Sequence, residues 1–100
     1  MPLQVFGYES VTVSTTSVAL TSTTYGNAAA NTFANYAMIQ VETYPVRFRL
    51  DGTAPTASVG HLLNPGDLLE LESESEIRGF HAISSTGSSA TLRVHYETRQ

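Results

Sequence analysis

The chain has no cysteine, no tryptophan and no lysine, and only 14% of its residues are charged. Each absence removes a class of protein. Without cysteine there is neither a disulfide framework nor a thiolate metal site. Without tryptophan or a cysteine pair, the core signature of an immunoglobulin-type domain is missing. The cationic residues are five arginines, Arg47, Arg49, Arg78, Arg93 and Arg99, against nine acidic residues, for a net charge of -4. Phosphate neutralisation requires several cations on one face, so neither nucleic acid nor an anionic membrane is an expected partner. No apolar run approaches the ~20 residues that span a bilayer. The opening MPLQVFGYES lacks the basic-then-apolar pattern of a signal peptide, so the chain is expected to be made in the cytoplasm.

Helical periodicity is scarce as well. The best helical candidate is Ala28 to Ala34, a single turn with Asn27 as its N-cap. What replaces it is a recurrence of Ser, Thr, Val and Tyr, residues that fit a pleated, half-buried surface. At 100 residues and 41% hydrophobic content, the chain is expected to form one domain with one core, residues 1–10 extending from it as an N-terminal arm. Leu20, Ile39, Val41, Phe48, Leu92 and Val94 are its expected core residues.

The strands follow from alternation. Gln4 to Tyr8 and Val11 to Ser14 form a first extended stretch, with Gly7 marking a bulge or bend. The Ser/Thr-rich stretch Ser14 to Thr24 reads as an edge strand or loop, and Tyr25 to Asn35 as a connection. In Tyr36 to Thr43, Ala37, Ile39 and Val41 face one way and Met38, Gln40 and Glu42 the other. Pro45 marks a strand start, after which Val46, Phe48 and Leu50 point inward and Arg47 and Arg49 outward. Gly52, in a hairpin-type Asp-Gly turn, with Pro55, Gly60, Pro65 and Gly66, supplies the turn chemistry of the central stretch. Asp67 to Glu72 resumes as a strand, and Ser73 to Glu76 reads as an acidic loop. Glu76 to Ser84 is expected to be a strand with Gly79 as a bulge, and Ala90 to Glu97 another, with Ala90, Leu92, Val94 and Tyr96 inward. This gives an all-β fold of about seven or eight short strands, an antiparallel β-sandwich of jelly-roll type.

No residue cluster demands catalysis. His61, His81 and His95 invite a metal, and GHLLNPGD resembles a cupin motif, but the pair of closely spaced histidines that such motifs require is absent. Glu70, Glu72, Glu74 and Glu76 recur at every second residue and on an extended chain would form one solvated acidic edge. Neither a nucleophile elbow nor a phosphate-cradling glycine loop is present. The expectation is a non-enzymatic protein without cofactor or metal. Arg47 and Arg49 have two readings, pairing across strands with Glu42 or anchoring a neighbouring subunit's carboxylate.

The runs IQVETYPVRFRL, DGTAPTASVGHLLNPGD, EIRGFHAIS and SATLRVHYE, between Ile39 and Glu97, carry a resemblance, covering Val11 to Glu97 in all, to small virion-associated proteins of tailed bacteriophages. The resemblance implies a structural β-sandwich of the virion, a capsid decoration or cement protein whose partners are the major capsid protein and copies of itself, in a threefold arrangement. Tyr8, Tyr25 and Asn31 then join Arg47 and Arg49 as candidate contact residues, with the N-terminal segment, the Ser/Thr-rich segment and the 27–35 loop as bridging elements. A head-to-tail connector or tail component is a structural alternative. A carbohydrate-binding module would use Tyr8, Tyr25, Tyr36 and Tyr44 as stacking platforms, and a minimal cupin enzyme would carry a metal.

Overall fold

The computed structural model describes residues 4–27 and 32–98. Strand β1 (Gln4–Val13) is followed by the short edge strand β2 (Val18–Ala19), one helical turn α1 (Ser22–Tyr25), and a small ladder of β3 (Gly26–Asn27) with β4 (Thr32–Phe33). Then come β5 (Tyr36–Glu42), β6 (Val46–Arg49), β7 (His61–Leu63), β8 (Leu68–Leu71), helix α2 (Glu74–Gly79), β9 (His81–Ser84) and β10 (Ala90–Thr98).

Two four-stranded antiparallel sheets, β1-β10-β5-β8 and β2-β9-β6-β7, make a sandwich. With the β3-β4 ladder set aside, the chain changes sheet at every connection except the one between β6 and β7. That alternation is the jelly roll. Alternation along each strand fills the space between the sheets. Ala90, Leu92, Val94 and Tyr96 on β10 are 0% exposed, and Ile39 and Val41, Val46 and Phe48, Leu71 and Ala82 meet them as buried neighbours. Each such aliphatic or aromatic side chain contributes on the order of 1.5–3 kcal/mol when taken from water. Phe48 stacks on Phe80 with ring centroids 5.7 Å apart, and Tyr25 tilts against Tyr96 at 5.9 Å.

Several expectations need correction. Ser73 to Glu76 is no loop and Glu76 to Gly79 no strand. Ser73 Oγ accepts from the Glu76 amide at 3.1 Å, and Glu76 Oε1 reaches back to the Glu72 amide at 2.7 Å. This capping arrangement, legible as S-x-x-E, starts α2, and Ile77 buries it. The four alternating glutamates therefore do not share one face. Of the segment Ala28 to Ala34, a candidate for one helical turn or for a loop, residues 28–31 lie outside the described residues, while Asn27 and Thr32 pair in a ladder. The helical turn sits upstream, at Ser22–Tyr25, where burial of Tyr25 holds it. From Gln4 onward the expected arm is β1, paired with β10 from Gln4↔Thr98 to Val13↔Ala90, with the bulge between Val5 and Gly7.

The glycines of the central stretch act differently from one another. Gly52 and Gly66 take φ of +80° and +92° in open space. The Asp51-Gly52 bend does not close a tight hairpin, because residues 50–60 separate β6 from β7. Gly60, at φ +134°, also lies where a Cβ would sit 3.0 Å from the Phe48 carbonyl. Gly79 is no bulge. Helix α2 runs so close to Leu50 that a Cβ there would lie 2.1 Å from the Leu50 carbonyl oxygen. The Gly52 amide in turn donates to the Gly79 carbonyl at 3.1 Å.

Gly79→Ala should therefore be the most damaging of the glycine substitutions, costing about 3 kcal/mol or more through overpacking. Gly52→Ala and Gly66→Ala should cost about 1–2 kcal/mol each for the left-handed backbone alone, and Gly52→Val more than Gly52→Ala. Urea unfolding midpoints of the four variants give the ranking directly.

Candidate functional site

The sheet registers determine which side chains share an outer face. On the first sheet, Tyr8, His95, Met38 and Glu70 form one outward row across β1, β10, β5 and β8. Ser10, Arg93, Gln40 and Leu68 form the next, and Thr12, Thr91 and Glu42 a third. A shallow groove of about 190 Å³ crosses this face, lined by Tyr8, Met38, Gln40, Leu68, Arg93 and His95. Its polar groups are tied down. Arg93 donates to Glu42 Oε1 at 3.0 Å, to Ser10 Oγ at 2.7 Å and to the Tyr8 hydroxyl at 3.5 Å. His95 meets Glu97 at 2.9 Å, and the Tyr36 hydroxyl donates to Glu70.

Tyr8 shares a 3.3 Å hydrogen bond with Ser10, two residues along the same strand. Its ring remains 58% exposed. The Ser10 bond and then the Arg93 bond hold its phenol below the ordinary value.

On the second sheet, Leu62, Arg47 and Ile83 form one outward row across β7, β6 and β9, followed by Arg49 and His81. Neither arginine pairs with Glu42, whose partner is Arg93. Arg47 donates to the carbonyls of Ala57 at 3.3 Å and Gly60 at 3.1 Å, pinning the 50–60 connection onto β6. Arg49 pairs with Asp51 at 2.5 Å. That bond, followed by the Thr53 amide, pulls the Asp51 carboxyl below its usual range.

The remaining candidates scatter. Tyr25 is buried against Tyr96 and Tyr36 is buried at 4% exposure, so neither offers a surface; Tyr8 and Tyr44 do. Asn31 lies outside the described residues. Pro55 is the buried residue of the 50–60 connection that Arg47 holds, whereas Gly52, Pro65 and Gly66 are exposed at turns. His61 packs on Phe48 at 5.4 Å and His81 Nδ1 meets the Gly79 carbonyl at 3.1 Å, so the three histidines go to separate surroundings. Among the described residues, no group of three His, Asp or Glu could hold a metal ion. A wider cleft of about 570 Å³ lies between α2 and the Leu50–Gly52 bend, and its charges are matched locally, Arg78 with Glu74 at 2.6 Å and Asp51 with Arg49.

Two polar residues escaped the reading of the sequence. Glu9 accepts from the Tyr96 hydroxyl at 2.5 Å and from the Thr21 amide at 3.1 Å, locking α1 to the first sheet. Its inward parity, shared with Val11 and Val13, was the available signal. Ser84, 2% exposed, donates to the Ser88 carbonyl and accepts from the amides of Thr86 and Gly87, holding the turn before β10. Comparison with protein-family models, with curated proteins and with solved structures returns no match.

Burial first, and then the Glu9 carboxylate, raise the Tyr96 phenol far above its ordinary value of 10.0. An unfolded chain releases this proton near pH 10 while the folded chain retains it, so the associated stability is complete below about pH 10 and is lost as pH rises further. Tyr96→Phe should cost roughly 1 kcal/mol at neutral pH by removing one hydrogen bond. It should also flatten the alkaline decline, read as a smaller drop in urea midpoint between about pH 8 and pH 11.

Proposed function

We propose that this protein is a non-enzymatic structural component of a phage virion, a capsid decoration protein that binds the major capsid protein and other copies of itself. The reading starts from the resemblance drawn on the sequence of residues 11–97, and the observation that supports it is the jelly-roll topology. That architecture serves viral shells and lectins alike, so it supports the reading without selecting it. Both outer faces hold exposed apolar side chains, Tyr8 and Leu68 on the first sheet and Leu62 on the second, with Val59 on the adjoining connection. Covering such groups on a shell is favourable. The Ser/Thr-rich segment places β2 at a sheet edge, where a neighbouring strand can add.

One observation favours a second reading. The exposed Tyr8 ring lines a groove whose Gln40 and Arg93 are planar hydrogen-bonding groups, a set that can stack a sugar ring and meet its hydroxyls.

Sedimentation with empty capsids should carry the protein down with saturable stoichiometry, and the coated shells should resist heat better than bare ones. Failure to bind shells, together with retention on a polysaccharide column that Tyr8→Ala abolishes, would move the assignment to sugar binding.

A further inference from the structure

Charge is divided between the two sheets. The strands of the second sheet, VA, HAIS, VRFR and HLL, contain two arginines and no carboxylate. Those of the first carry Glu42, Glu70 and Glu97 at outward positions against the single Arg93, while Glu9 points inward to Tyr96. We propose that copies of this chain join head to tail, the acidic outer face of the first sheet of one copy seated on the basic outer face of the second sheet of the next. The inference rests on the self-association contained in the function proposed above and names the surfaces that carry it.

Two groups on these faces keep a charge that their own neighbours leave uncompensated. Arg47 spends its hydrogen bonds on the carbonyls of Ala57 and Gly60, and no carboxylate among the described residues pairs with it. Glu70, exposed on the opposite side of the molecule, has the neutral Tyr36 hydroxyl as its partner. Apolar groups sit beside both, Leu68 in the row next to Glu70, and Leu62 directly across the strand pair from Arg47. Seating like on like would put glutamates against glutamates or arginines against arginines. Only the unlike pairing matches charge and covers apolar area together.

Such a contact is heterologous, using two different patches, and therefore forms a ring when its rotation closes and an open stack when it does not. The outer faces of a sandwich lie nearly back to back. A threefold ring needs its two patches steeply inclined to each other, so this pairing produces a ring of many copies or a stack, in place of the threefold arrangement expected from the resemblance.

Two substitutions at exposed leucines test the pairing with little loss of packing, Leu68 being 56% and Leu62 45% exposed. Leu68→Arg spoils the acidic face and Leu62→Glu the basic one. Light scattering of the wild type at low salt should show multiples of the 10.8 kDa chain, shrinking as sodium chloride is added. Each variant alone, with a far-UV circular dichroism spectrum like that of the wild type, should remain a single chain. Mixed one to one, they retain one intact contact between them and should form a species of twice the chain mass that grows no further. Glu70→Gln and Arg49→Gln, which remove charge without adding bulk, should reduce the wild-type mass in the same direction. A wild type that is a single chain at low salt, or variants that assemble as it does, would overturn the pairing. Saturable binding to empty capsids in either case would leave the virion assignment standing.

Discussion

The hydrogen bonding of β10 on both of its edges, to β1 and to β5, is the constraint on which the fold depends. Its inward side chains are the most completely buried set in the molecule, and its neighbours are the first strand and one from the middle of the chain. The first sheet has no centre until the last described strand is in place. Little of the structure can be stable before then, because the contacts that stabilise it join residues near opposite ends of the sequence. Such a topology folds slowly and cooperatively, paying loop-closure entropy before the core compensates for it.

Around that sheet, the second is fastened by small polar devices. Arg47 holds the 50–60 connection by its backbone carbonyls, and the missing side chain of Gly79 lets α2 lie against Leu50. Ser84 gathers the turn into β10, and Glu9 ties α1 to the first sheet. Each satisfies backbone groups that long connections would otherwise leave unpaired, which is how a small jelly roll tolerates loops between short strands. The charged groups left on the outer faces are then free of structural duty to unequal degrees, and Arg47 and Glu70 retain the least compensated charges.

Much of this was legible in the chain. The alternation in β5, β6 and β10 assigned inward and outward side chains correctly, and Gly7, Pro45 and the Pro65-Gly66 pair marked a bulge, a strand start and a turn where the structure has them. The errors have definite causes. EIRGFHAIS read as one strand because its β-rich second half outweighed the S-x-x-E cap before it. Tyr25 and Tyr36 read as surface aromatics because a tyrosine fits a core and a groove equally well, and only packing against Tyr96 or a bond to Glu70 decides which.

The sequence by itself determined that the chain forms short strands and which face of most of them is apolar, since a side-chain period of two is a property of the local backbone. It also determined the scarcity of cations and the absence of cysteine chemistry. Only the tertiary structure decided which strands became neighbours. That choice put Arg47 and Arg49 in one sheet and the glutamates of β5, β8 and β10 in the other. Charge segregation between faces belongs to strand order, and strand order is set by long-range pairing that no local stretch of residues encodes.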